Sequence, residues 1–174
     1  MNQLSQTRLI GTHPEVVRRA VEFASLLAAD GIELLVVEGG RPWQEQAADY
    51  AKGRNVAGQV VDESEVVTWA LPGYSWHQYF VAFDACPLDA NGQPIWDITN
   101  PAWQKMFALY EKAGLFCGKD FVSPSGKPEP DEDHFQPEEI LRSPSDVIRQ
   151  TFQNGGVAAV WSLLNLQPFQ WEVT

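Results

Sequence analysis

An acid lies where the chain is otherwise apolar. In the run Phe80-Val81-Ala82-Phe83-Asp84-Ala85-Cys86, Asp84 interrupts a segment patterned to be buried, and an unpartnered buried carboxylate costs several kcal/mol or more. The fold must therefore deliver a cationic partner to this strand. The chain has only three histidines, and two of them stand close to acids: His77 precedes Asp84 by seven residues, and His134 follows Asp131 by three. Two imidazoles and one carboxylate form a donor set that suits Zn²⁺ and leaves a coordination position open for water, which separates a catalytic site from a structural one. If residues 81–86 form a strand, Ala82 and Asp84 share a face, and His77 can fold back from the turn before it.

The remaining pattern predicts an α+β fold with a small antiparallel sheet flanked by helices, in one domain spanning 1–174. Thr12-His13-Pro14 opens a helix whose apolar stripe, from Val17 to Ala28, ends at Asp30-Gly31. A buried strand is expected over 32–37 and a second helix over 42–52. Asn91-Gly92 signals a hairpin leading to a strand over 94–98. Asn100-Pro101 begins a helix that closes at Gly114. A loop is expected over 123–133, a short strand over 134–136 and a helical turn over 137–141. From Pro144 a helical extension to residue 174, divided by Gly155-Gly156, packs on the domain.

Charge narrows the partners. Twelve basic residues against 23 acidic give a formal net charge of −11, so attraction to phosphate backbones is disfavoured and nucleic acid is not an expected partner. No membrane span is expected, because no stretch approaches ~20 apolar residues. The amino terminus lacks a cationic start followed by an apolar run, so synthesis without a signal peptide is expected. Cys86 and Cys117 are read as free, buried thiols. Asp89-Ala90-Asn91-Gly92 fails as a calcium loop, because Pro87 and Ile98 occupy ligand positions of an EF-hand.

Ordered motifs carry a resemblance. Ser75-Trp76-His77-Gln78-Tyr79-Phe80-Val81-Ala82-Phe83-Asp84 resembles the S-x-H-x-x-G-x-A-x-D motif of the D-Ala-D-Ala metallopeptidase family, and Asp131-Glu132-Asp133-His134-Phe135-Gln136 resembles its second motif. Gly40-Arg41 with Gln46, Tyr50 and Gly53-Arg54 is similar to the family's G-x-R, Q and G-R positions. Leu9 to Pro14 and Gly114 to Phe121 resemble the L-alanyl-D-glutamate endopeptidase branch found among bacteriophage endolysins. The matches run in order from about residue 9 to residue 136.

The resemblance implies a hedgehog/DD-peptidase-like fold and a zinc peptidase acting as a monomer on the peptidoglycan stem peptide, reaching the cell wall by holin-type or virion delivery. It implies that His77, Asp84 and His134 bind zinc and that Asp131 is the general base, with Asp133 as an alternative. Arg41 would stabilise an oxyanion or bind a substrate carboxylate, a surface salt bridge being its other reading, and Ser75 and Gln46 would orient substrate. Two other functions stay open: a D-Ala-D-Ala carboxypeptidase or dipeptidase, and a non-catalytic metal-containing peptidoglycan-binding or virion protein. The departure is Phe80, which stands where the motif has glycine.

Overall fold

A computed structural model describes residues 1–122 and 126–168. Strands β1 (Leu34–Glu38), β2 (Phe83–Pro87), β3 (Leu115–Cys117) and β4 (His134–Pro137) form one antiparallel sheet in the order β1-β2-β4-β3. Helices α1 (Gln3–Arg8), α2 (Pro14–Ala29), α3 (Trp43–Ala51), α4 (Pro101–Leu109) and α5 (Asp146–Leu164) surround it. The architecture is α+β, as the sequence predicts.

Local chemistry explains the helix ends. Pro14 occupies the first turn of α2, and the His13 ring nitrogen Nδ1 accepts from the Glu15 N–H at 3.1 Å, satisfying one of the donors that every helix start leaves free. Asn100 caps α4 in the same way, and the chain then tightens into a 3₁₀ turn, Tyr110–Ala113, that ends on Gly114 at φ 67°. Inside, Phe23 of α2 meets Phe135 of β4 at 5.1 Å, and Phe83 of β2 stacks on Phe135 at 5.6 Å. All three are fully buried. Each such side chain contributes about 1.5–3 kcal/mol when removed from water. This apolar layer fixes the sheet register, and a slip of one residue would turn Asp84 to the opposite face.

Several boundaries differ from the sequence expectation. The short α1 was not foreseen; it covers the open edge of β1, where the Ser5 hydroxyl accepts from Val36 N–H at 2.9 Å and Arg8 donates to Val36 O at 2.7 Å, so the outer strand is not left as an unpaired edge. β3 was also not anticipated. The strand expected over 94–98 reduces to one bridge, Leu88 to Pro94: proline cannot donate to a ladder, and the Ile95 carbonyl is taken by Trp103 Nε1 at 2.8 Å. Of the helical turn expected over 137–141, Pro137 ends β4 and residues 138–140 form a single turn closed by Ile140 N–H to Pro137 O at 3.3 Å, while the Leu141 carbonyl accepts from Trp76 Nε1 at 2.7 Å and Gln136 Nε2 at 3.0 Å. Of the loop expected over 123–133, residues 123–125 lie outside the described residues, as do 169–174 of the extension. The extension's helix bends at Gly156, and its Trp161 donates to Tyr79 O at 2.8 Å while Phe152 stacks on Trp43 at 5.0 Å. Both free cysteines are buried. Among the described residues no helix is long and apolar enough to cross a membrane.

Phe80 explains the glycine of the motif. It ends the 3₁₀ turn Trp76–Tyr79 at φ 59°, ψ 37°, in the left-handed region, which costs a non-glycine residue about 1–2 kcal/mol. Its N–H donates to His77 O at 3.0 Å, and its carbonyl accepts from His13 N–H at 2.8 Å. Its ring covers Gly40 so closely that a Cβ there would overlap it, and it walls a pocket of about 350 Å³ with Trp43, Gln78 and Phe152. Phe80→Gly is therefore expected to be more stable than Phe80→Ala by about 1 kcal/mol, reversing the usual order of the two residues. Urea denaturation of the pair checks it.

Candidate metal centre

The register of two strands makes the first contact. Asp84 on β2 pairs directly with His134 on β4 and, on its other side, with Glu38 on β1. His77 arrives from the 3₁₀ turn before β2, whose start is capped by the Ser75 hydroxyl accepting from His77 N–H at 3.4 Å. The three side chains converge: His77 Nε2 lies 3.1 Å from Asp84 Oδ1 and 3.1 Å from His134 Nδ1, and His134 Nδ1 lies 3.4 Å from Asp84 Oδ1. Both imidazoles are buried, and Asp84 is partly so.

Hydrogen bonds fix the tautomers. His77 Nδ1 is 2.6 Å from Gly39 O, and His134 Nε2 is 3.1 Å from Gln136 Oε1. Both partners are acceptors, so each ring places its proton there and turns a lone pair toward Asp84. Gln136 is itself oriented, because its amide nitrogen donates to Leu141 O. Three acceptors facing one another call for a cation. A tetrahedral zinc with bonds of about 2.0–2.1 Å spaces its ligands by roughly 3.3–3.4 Å, close to the edges observed here, so the donor set fits such an ion. The same demand shows in the titrations. Burial disfavours the His77 imidazolium, yet the Asp84 carboxylate and the Gly39 carbonyl outweigh it and raise the group to about 9. Burial also opposes the Asp84 charge, but His77 and His134 hold that carboxyl well below the usual range.

The other predicted residues take distinct places. Asp131 is exposed in the turn that enters β4; its N–H donates to Gly118 O at 3.0 Å and its carbonyl accepts from His134 N–H at 3.2 Å. Burial, then the Asp84 and Asp131 charges, pushes the neighbouring Asp133 carboxyl up to about 7. Arg41 forms a two-pronged pair with Glu38 through Nε and Nη2, and Nη1 donates to Gln46 Oε1 at 2.9 Å. Gln46 is fully buried, and its amide nitrogen is spent on Ala70 O at 2.7 Å and Thr68 Oγ1 at 3.3 Å. It therefore holds Arg41 and the chain at 68–70 in place and offers no polar atom to a substrate. The Ser75 hydroxyl serves the turn that carries His77.

Sequence reading missed Gly39, Gln136 and Glu38. Gln136 had a signal, since a residue two places beyond His134 in a strand shares its face. The Gly39 carbonyl had none. A Cβ at Gly39 would collide with the Arg8 carbonyl, so the close approach of the chain there needs the missing side chain.

His77, Asp84 and His134 thus form a three-donor cluster that could hold one metal ion, with both imidazoles oriented from behind. No family model matches the chain. It is 34% identical over 116 residues to the peptidoglycan L-alanyl-D-glutamate endopeptidase CwlK of Bacillus subtilis, an alignment covering 63% of this chain and 66% of that enzyme. Its fold is similar to that of the Serratia marcescens L-Ala D-Glu endopeptidase ChiX, at a TM-score of 0.53 and 19% identity, covering 78% of this chain and 87% of the other. It is also similar to that of the D,D-pentapeptidase VanY from a VanB-type resistance cassette, crystallised with Zn(II), at a TM-score of 0.52 and 17% identity, covering 86% and 83%. The chain thus has the fold of the D-Ala-D-Ala peptidase-like metallopeptidases and spans just under two thirds of the curated relative it matches.

Proposed function

We propose that the protein is a zinc-dependent peptidase of bacterial peptidoglycan that cleaves the L-alanyl-D-glutamate bond of the stem peptide. One observation carries the metal assignment: the lone pairs of His77 Nε2 and His134 Nδ1 meet Asp84 Oδ1 at 3.1 and 3.4 Å with both rings pinned from behind. The bond assignment is supported by the 34% identity to an endopeptidase of that specificity. His77, Asp84 and His134 hold the ion. Zinc bound there supplies Lewis acidity, which lowers the cost of deprotonating water and polarises a carbonyl.

The chain's own residues supply the rest. Asp131 takes a proton on its carboxylate and returns it to the leaving amine. Arg41, locked by Glu38 and Gln46, is a fixed positive charge beside the metal that stabilises a developing oxyanion. Ser75 and Gln46 act through the residues they position.

The test is incubation of purified protein with peptidoglycan fragments, with zinc and with a chelator, reading products by mass. New amino termini at D-glutamate are expected with zinc only. Released D-alanine would point to a carboxypeptidase, and no metal-dependent cleavage would leave a binding protein. Zinc at about 1,000 times its Kd is expected to add about 4 kcal/mol of stability, or about 8–16 °C in Tm for a chain of this size. His134→Ala is expected to lose both the Tm response and the cleavage.

A further inference from the structure

Acids outnumber bases 23 to 12 in this chain, so a guanidinium without a carboxylate stands out. Arg54 is one: among the described residues its hydrogen-bond acceptor is Tyr50 O, reached by Nη1 at 2.5 Å, and it has no ion pair. The guanidinium instead lies over the Tyr50 ring at 4.0 Å and faces the Trp69 ring at 5.2 Å. Trp69 is 70% exposed. Stacking of this kind orients a guanidinium while leaving its in-plane N–H groups available. Among the described residues Nε and Nη2 have no acceptor.

The position relates this sandwich to the metal site. Thr68 Oγ1 and the Ala70 carbonyl, on either side of Trp69, both accept from Gln46, and the other end of that amide accepts from Arg41. The Asp84 charge in turn acts on Arg41. Trp69 is thus linked through Gln46 to Arg41, and Arg54 stacks on Trp69. Arg41 spends Nε and Nη2 on Glu38 and Nη1 on Gln46, so the donors left to hold a substrate carboxylate are those of Arg54.

We infer that Arg54, framed by Tyr50 and Trp69, receives a substrate carboxylate on the glutamate side of the scissile bond. This rests on the proposed peptidase reading, and its chemistry is simple. Glutamate has two carboxyl groups and a chain continues through one of them, so the other remains a carboxylate that a planar fork of donors binds with two hydrogen bonds.

The experiment uses zinc-loaded wild type and Arg54→Gln with two stem peptides that differ only in whether the free glutamate carboxyl is a carboxylate or a carboxamide. Wild type is expected to prefer the carboxylate by about tenfold in kcat/KM, a difference typical of one hydrogen-bonded charge. Arg54→Gln is expected to lose that factor on the carboxylate peptide, through KM, and to stay within about twofold on the carboxamide. Arg54→Lys should recover part of it, and Trp69→Ala should weaken the same preference. Equal losses on both peptides, or none, overturn the inference while leaving the peptidase reading standing. Calorimetric binding of both peptides separates the two further: with no cleavage at all, weaker binding of the carboxylate peptide alone in Arg54→Gln upholds the carboxylate site and removes the peptidase, whereas unchanged binding removes the site.

Discussion

Asp131→Ala is expected to lower kcat on peptidoglycan fragments by about 10²–10⁴-fold, the range a positioned general base contributes, while one zinc stays bound per chain. The separation follows from the structure. Asp131 is exposed, is absent from the converging trio, and is tied to it only through the turn in which its carbonyl accepts from His134 N–H. Alanine keeps those backbone hydrogen bonds. Zinc content by elemental analysis and single-turnover cleavage measure the two halves independently. Asp133 is the rival: its carboxyl is raised to about 7, chiefly by burial, a range that suits a general base near neutrality. If Asp133→Asn abolished turnover and Asp131→Ala did not, the base would be Asp133.

The largest effect on stability is expected at Arg19, far from the chemistry. Its side chain is 1% exposed, and its donors reach Glu15 Oε1 at 2.9 Å, Gly114 O at 2.6 Å and both Glu139 oxygens at 2.7 Å. Burial opposes the charge, yet the hydrogen bonds it donates to Glu139 and Glu15 raise its pKa above the usual value. One guanidinium thereby ties α2 to the turn before β3 and the turn after β4. Without Arg19, Glu15 keeps Arg18 and Glu139 is part-exposed, but the Gly114 carbonyl and half of the network lose their donor, at about 2–3 kcal/mol. Arg19→Met is thus expected to lower Tm by roughly 4–12 °C. Arg142, exposed and paired with Glu129 at 3.1 Å, is the control, where alanine should cost about 0–1 kcal/mol. Thermal melts of both variants compare them.

The ligand chemistry and most helix limits were legible in the sequence because each depends on nearby residues. An acid in an apolar run, two histidines spaced from acids, and Pro14 and Pro101 after their caps all state their own requirements. The left-handed turn at residue 80 was visible as a motif position, although only the coordinates show that Phe80 adopts the glycine conformation. The outlying parts were harder to read. Arg19 sits on a helix like any surface arginine, and Gln46 looks like a substrate-facing amide until the strand–helix packing buries it.

Sequence alone determined which atoms are available to hold a cation: two imidazoles, one carboxylate and an acid three residues upstream of the second ring. Tertiary structure decided how they are aimed. The Gly39 and Leu141 carbonyls that set the rings carry no side-chain identity, and the pairing of Asp84 with His134 and Glu38 exists only once the strands are in register. Backbone oxygens are the same at every residue, so their part in the site comes from where the fold brings them.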